Sequence, residues 1–276
     1  MDVEKHSKAA ASIRWGRRDL GIPNSVACRG KRERIRRTWT ASCAIVLLAI
    51  VSFHGSRAEA SERRFTYTYG SDVVNAGAVE FEPWTTFRVD RDGFYNRMDH
   101  RLEFEVGLTD RLQTAWYFNF KAISQDEGMD RVTEFEWDGV SWEWKFKVLD
   151  PVADPIGVGL YFEPGIAPGE AEIEAKLILD KRIGDLYTAF NAVFEHEWAF
   201  EEQGETEREI AGEFDLGVTY FVTPAFSAGI EVRNHNEFPS GEGFEHSALF
   251  AGPAVSYATS DWWATLTVLP QLPALK

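Results

Sequence analysis

From residue 61 onward, apolar side chains recur at every second position, and this period limits the chain more than any other feature. Met98, His100, Leu102, Phe104, Val106 and Leu108 share one face, and Asp99, Arg101, Glu103, Glu105 and Gly107 share the other. Leu112, Thr114, Trp116, Phe118 and Phe120 alternate in the same way with Gln113, Ala115, Tyr117, Asn119 and Lys121. Successive side chains of an extended chain point to opposite faces, so a period of two means strands. No segment of this region carries a helical period. The pattern predicts eleven strands, over roughly 79–89, 94–108, 112–123, 132–148, 156–163, 171–180, 186–199, 208–222, 225–234, 246–257 and 262–269. Pro83 and Pro253 fall inside strands, where each removes a ladder donor, so a bulge or bend is expected at both.

Two architectures fit such a chain: a secreted sandwich or jelly roll, and a barrel in a bilayer. In a sandwich the apolar faces press on one another. In a membrane barrel they meet lipid, and the charged faces line the interior. Three features favour the barrel. The segments 109–111, 150–155, 181–185, 223–224 and 259–261 read as short turns, alternating with longer polar links at 124–131, 164–170, 201–207 and 235–245; only the hairpin at 90–93 departs from this. Short turns on one rim and longer loops on the other suit an outer-membrane barrel. Both cysteines, Cys28 and Cys43, precede the strands, so the strand region has no disulfide to support a small secreted domain. Aromatics gather near expected strand ends, as Phe94 and Tyr95, Trp198 and Phe200, Tyr220 and Phe221, and Trp262 and Trp263. Such rings favour the membrane–water interface.

The first sixty residues read as an address. They hold twelve Lys+Arg and five Asp+Glu, about +7, whereas the rest holds 17 basic and 39 acidic residues, about −22. The basic leader precedes an apolar run over 41–53, followed by the small-x-small triplet Ala58, Glu59, Ala60. The run is too short for a membrane-spanning helix, and the pattern fits a secretory signal cleaved near Ala60. A short membrane anchor is the alternative. The expected domains are therefore a signal peptide over 1–60 and an outer-membrane β-barrel over 61–276. The negative charge of the strand region argues against nucleic acid as a partner.

Several segments resemble known proteins. Gly107-Leu-Thr-Asp-Arg-Leu112 resembles a periplasmic turn of proteobacterial outer-membrane barrels, and 220–231 resembles another such turn with its strands. The stretches 250–257 and 262–271 resemble the C-terminal part of an uncharacterised, porin-like family of these barrels. The resemblance implies an all-β, antiparallel up-and-down transmembrane barrel in the outer membrane of a Gram-negative bacterium. It carries no chemistry. Bacterial single-chain barrels have an even strand count. A twelfth strand is therefore expected beyond Lys276, or else residues Phe65 to Tyr69 close the seam.

The polar faces carry the candidate lumen. Glu80, Glu82, Asp99, Glu103, Glu105, Glu143, Glu172, Glu174, Glu195, Glu213, Asp215 and Glu231 share them with Arg88, Arg97, Arg101, Lys145, Lys147, Lys176 and Arg233. The acid excess suggests a field favouring cations or polar solutes. The other reading is a barrel filled by interlocked ion pairs. Phe94, Tyr95, Trp198, Tyr220, Trp262 and Trp263 are the candidate interface aromatics. Acidic loops (Asp126, Glu127 and Asp130; Glu201, Glu202, Glu205 and Glu207) suggest solvated charge, or hard cations shared with lipopolysaccharide. His235, Glu237, Glu242, Glu245 and His246 could hold Zn²⁺, although their spacing fits no known pattern. His100 and His196 are possible bases, but no serine stands at their height; Ser247 points away from His246.

These residues lead to a non-enzymatic, cofactor-free, porin-like channel for small polar or cationic solutes. Its expected partners are outer-membrane lipid, lipopolysaccharide, small solutes and the barrel-assembly machinery. The alternative is a non-conducting structural or surface-binding barrel that engages lipopolysaccharide, and an interfacial lipid hydrolase comes third. For a channel, Gln at Glu103 and Glu105 is expected to weaken cation preference.

Overall fold

The computed structural model describes residues 63–272 except 92, 128–129, 201–205 and 240–242. The leader, the apolar run and the triplet before residue 61 lie outside the described residues, as do Glu201, Glu202, Glu205 and Glu242 and the side chains of Glu127 and Asp130. Eleven strands follow one another: β1 (Val79–Arg91), β2 (Gly93–Thr109), β3 (Leu112–Glu127), β4 (Asp130–Leu149), β5 (Gly157–Ala167), β6 (Glu170–Ile183), β7 (Leu186–Phe200), β8 (Thr206–Thr223), β9 (Phe226–Pro239), β10 (His246–Ala258) and β11 (Trp263–Thr267). All are antiparallel, and each pairs with its neighbour in sequence within one sheet. This is the up-and-down order of a barrel, open along the seam between β1 and β11. No second sheet stacks on the first among the described residues.

The two edges come together at Arg63. Its carbonyl accepts hydrogen bonds from Ser256 of β10 (3.1 Å) and Thr265 of β11 (2.5 Å). Its guanidinium pairs with Glu82 of β1 (3.0 Å) and Glu103 of β2 (3.1 Å). The sheet is thus curled until first and last strands lie within one arginine's reach. Phe65 to Tyr69 do not close the seam as a strand; they lie on the concave face, bonded to side chains.

The expected alternation is present, with the usual polarity reversed. Glu103, Glu105 and Glu143 are 0–2% exposed, whereas Trp116, Phe118 and Trp142 on the opposite face are 39–43% exposed. Leaving one such side chain in water instead of an apolar medium costs about 1.5–3 kcal/mol. The convex face repeats this along most of the sheet, with Phe81, Phe135, Phe162, Phe194, Phe214 and Leu266 all exposed.

Four local expectations differ. The polar links over 124–131 and 164–170 are largely strand, and so are residues 235–239 of the link over 235–245, because the arms of each hairpin keep pairing outward, as far as Glu127↔Asp130, Ala167↔Glu170 and Glu237↔His246. The two rims therefore differ in how far the hairpins extend, and less in loop length. Neither proline makes a bulge: Pro83 pairs in register with Leu102 and Pro253 with Ile230. Beside β11, Pro253 lacks the N–H that would bond Val268, yet its carbonyl accepts from Val268 N (3.1 Å) and pairing resumes in the same register at Phe250↔Gln271. A real bulge lies in β4, where Asp138 and Gly139 together oppose Asn119. Gly139 has φ +94°. The extra residue resets the alternation, so Phe135 and Trp137 before it and Val140 and Trp142 after it all face outward.

Candidate functional site

The interior is built from two parts, a floor and an open cup. Residues 63–78 form the floor, crossing the concave face near the turns of the short-turn rim. Glu231 of β9, fully buried, holds the start of this segment. It accepts from the backbone N–H groups of Thr66 (3.0 Å), Tyr67 (2.7 Å) and Thr68 (2.7 Å), and from Thr68 Oγ1 (3.0 Å). Successive N–H groups converging on one carboxylate make an anion-binding concavity, filled here by the protein's own side chain. Asn191 of β7 accepts from Tyr69 N and donates to Tyr69 O. Asp180 of β6 takes Ser71 N (3.0 Å) and Ser71 Oγ (2.6 Å). Gln113 of β3 accepts from Val74 N at 2.8 Å. Gly77 N then donates to Gly107 O, leading into β1.

The segment forms no ladder, so its backbone groups depend on these side chains; buried and unmet, each would cost about 1–3 kcal/mol. The walls also make room for it. A Cβ at Gly107 would lie 2.1 Å from Asn75 O, and one at Gly217 would lie 2.4 Å from the Phe65 ring.

Rings and charges complete the floor. Tyr69 packs edge-on to Tyr161 at 5.4 Å. The Arg63 guanidinium lies 4.3 Å from the centre of the Tyr69 ring and Lys176 Nζ lies 4.2 Å from it, both within cation–π range. Tyr117 donates to Glu143, and Gln113 Nε2 bridges Glu105 (3.1 Å) and Glu143 (2.9 Å).

The cup opens above this floor, toward the long hairpins. It has a volume of about 280 Å³ and is lined by eight carboxylates against three arginines. The arginines are engaged. Arg97 and Arg88 both bind Asp99 (2.6 and 3.2 Å), and Arg101 binds Glu163 (2.5 Å). On the other wall, like charges face each other across the ladder, as Glu172↔Glu197, Glu174↔Glu195 and Glu197↔Glu209. Lys176 Nζ meets Glu174 at 2.9 Å and is the one cation paired on that row among the described residues. Directly opposed like charges destabilise a sheet, so this wall favours an added cation.

The candidate lumen residues all lie on the concave face but divide between the two parts. Glu80, Glu82, Glu103, Glu105, Glu143, Lys145 and Glu231 belong to the floor, while Arg88, Arg97, Asp99, Arg101, Glu172, Glu174 and Glu195 line the cup. Asp215, Glu213 and Arg233 lie along β8 and β9, with Arg233 on Glu213 at 2.5 Å. Lys147 reaches the 150–156 turn through Asp150. Glu103 and Glu105 hold Arg63 in the floor and do not line the open cavity, whereas Glu172 and Glu197 do. Among the aromatics, Phe94, Tyr220 and Trp262 are exposed. Trp198 stacks on His196 at 4.0 Å. Register puts Tyr95 on the face of Arg97, and Trp263 on the face of Thr265, so both are concave. Phe221 is also inward, packed with Phe65 and Tyr187. His100 Nδ1 meets Thr85 Oγ1 at 2.8 Å on the convex face. Sequence reasoning missed Asp180, Asn191 and Gln113, whose partners lie in a segment without strand pattern. The visible trace was glycine at inward positions next to turns.

Fold and interior together define a polar-cored, up-and-down β-barrel fold, a half-barrel whose concave face is crossed by residues 63–78. Residues 57–274 match a family of unknown function, DUF6662, and the chain belongs to that family. No curated protein matches it.

Proposed function

We propose that this protein is an outer-membrane barrel whose acidic cup admits small polar or cationic solutes, and that residues 63–78 control passage beyond the cup. The observation that carries this reading is the reversed polarity. A continuous apolar exterior suits acyl chains, and an interior of carboxylates suits water and cations. In this reading the signal sequence exports the chain, the barrel-assembly machinery inserts it, and the short-turn rim with its plug faces the periplasm. Lipopolysaccharide surrounds the long hairpins.

The plug gives the reading a direct test. A Cβ at Gly159 would lie 3.4 Å from Ser71 Cβ, close to the usual separation in a disulfide. The paired substitutions Ser71→Cys and Gly159→Cys, with Cys28→Ser and Cys43→Ser, should form a bond that fixes the plug. In planar bilayers the oxidised protein should be silent, and reduction should restore cation-selective current steps. Silence in both states, and in the unsubstituted protein, would overturn the channel and favour the non-conducting, surface-binding barrel.

A further inference from the structure

The long-hairpin ends of β9 and β10 bring together the imidazole and carboxylates that in sequence matched no metal pattern. His246 pairs directly with Glu237 across the ladder, and Glu245 N donates to Glu237 O at 3.0 Å. One donor atom from each of Glu237, Glu245 and His246 lies within 4.8 Å of the others. His246 Nδ1 is 3.3 Å from Glu237 Oε2. Behind them is a support. His235 Nε2 holds the other Glu237 oxygen at 3.0 Å, and His235 Nδ1 holds Glu213 at 2.9 Å. Glu213 is in turn fixed by Arg233 at 2.5 Å. Metal-ligating carboxylates are oriented by such outer hydrogen bonds. Here the chain from Arg233 to Glu237 fixes one ligand, while Glu245 and His246, exposed at the start of β10, remain adjustable.

We propose that Glu237, Glu245 and His246 form a binding site for a borderline divalent cation of the Zn²⁺ class, with His235 as a positioning residue. One imidazole nitrogen and two carboxylate oxygens, with room for water, match the donor set of an open Zn²⁺ site. Ca²⁺ and Mg²⁺ prefer all-oxygen shells, so the imidazole selects against them. Tetrahedral donors at Zn²⁺ bonding distance stand about 3.3 Å apart, a separation that His246 Nδ1 and Glu237 Oε2 already have. The site needs no conduction. If the cup does pass cations, Glu209, Glu197 and Glu172, opposed one after another on β8, β7 and β6, lead from it into the cavity.

The test uses the refolded full chain carrying Cys28→Ser and Cys43→Ser, so that leader thiols cannot bind metal. Titration with Zn²⁺ by calorimetry should give one site, and Co²⁺ should give a d–d absorption band of low coordination number. His246→Ala and Glu245→Gln should each weaken Zn²⁺ at least tenfold, and His235→Gln should weaken it about tenfold without abolishing it. Excess Ca²⁺ should not displace Zn²⁺. Gel mobility of folded against heated samples checks that each variant is folded. Absence of stoichiometric Zn²⁺ binding, unchanged affinity in His246→Ala, or equal competition by Ca²⁺ would overturn the site. None of these results bears on the bilayer recordings.

Discussion

Glu231 does the work that a neighbouring strand does elsewhere in a sheet. It gathers three backbone N–H groups and a hydroxyl from residues 66–68 at full burial. Glu231→Ala would leave those donors buried and unmet, with an expected loss of about 3 kcal/mol, read from unfolding in detergent against urea. Glu231→Gln should lose less, because one carbonyl oxygen remains to accept. Asp150, in the turn after β4, shows a pH effect of known sign. The backbone N–H groups of Ala153 and Val152 donate to its carboxylate at 2.9 Å, which holds its carboxyl below the usual range. A lowered folded-state value means that its stabilisation is complete above about pH 4 and fades as the pH falls through the lowered value. Asp150→Ala should therefore lower the unfolding midpoint at pH 7 and converge with the parent protein in strong acid. A gap that persists or widens in strong acid would count against this.

The strands were readable because their signal is written in every residue. Alternation of Leu102, Phe104 and Val106 with Arg101, Glu103 and Glu105 located β2 and both of its faces without any knowledge of its partners. Hairpin ends were harder to read. Polar residues over 124–127 look like a loop, but cross-strand pairs such as Ser124 Oγ with Thr133 Oγ1 at 2.8 Å keep them in the ladder. The bulge was half-legible: Trp137 and Val140 are both outward and an odd number apart, which strict alternation forbids. Its glycine is a structural requirement. Gly139 has a positive φ, and a Cβ there would lie 2.2 Å from Ile166 O. Gly139→Val should destabilise the β4–β5 contact by about 2 kcal/mol or more. Deleting Gly139 should cost less, because Trp137, Asp138 and Val140 would then face outward, inward and outward in a regular ladder with no residue changing faces. Limited proteolysis of the β3–β4 hairpin would report both effects.

At the scale of the whole molecule, the exterior and interior were anticipated from sequence, whereas the division into floor and cup was not. A segment that bonds to scattered side chains on β3, β6, β7 and β9 leaves no periodic mark on the chain. Arg63 joins the two edges of the sheet, and its loss should be felt globally. Arg63→Met would strand Glu82, Glu103 and Glu105 without their cation. Removing one partner from a buried pair costs about 3–5 kcal/mol. The melting temperature should fall accordingly, and the β1 and β11 edges should exchange their amide hydrogens faster than β6. Uniform protection across the sheet would mean that the edges are held by other contacts.

The meeting of Arg63 with Ser256 and Thr265 also sets an order of events during assembly. The carbonyl of Arg63 gains these two donors only after β10 and β11 have been made and folded over it. A chain that stops after β9 would already hold residues 66–74 through Glu231, Asn191, Asp180 and Gln113, and would lack only the two bonds that tie Arg63 to the closing edge.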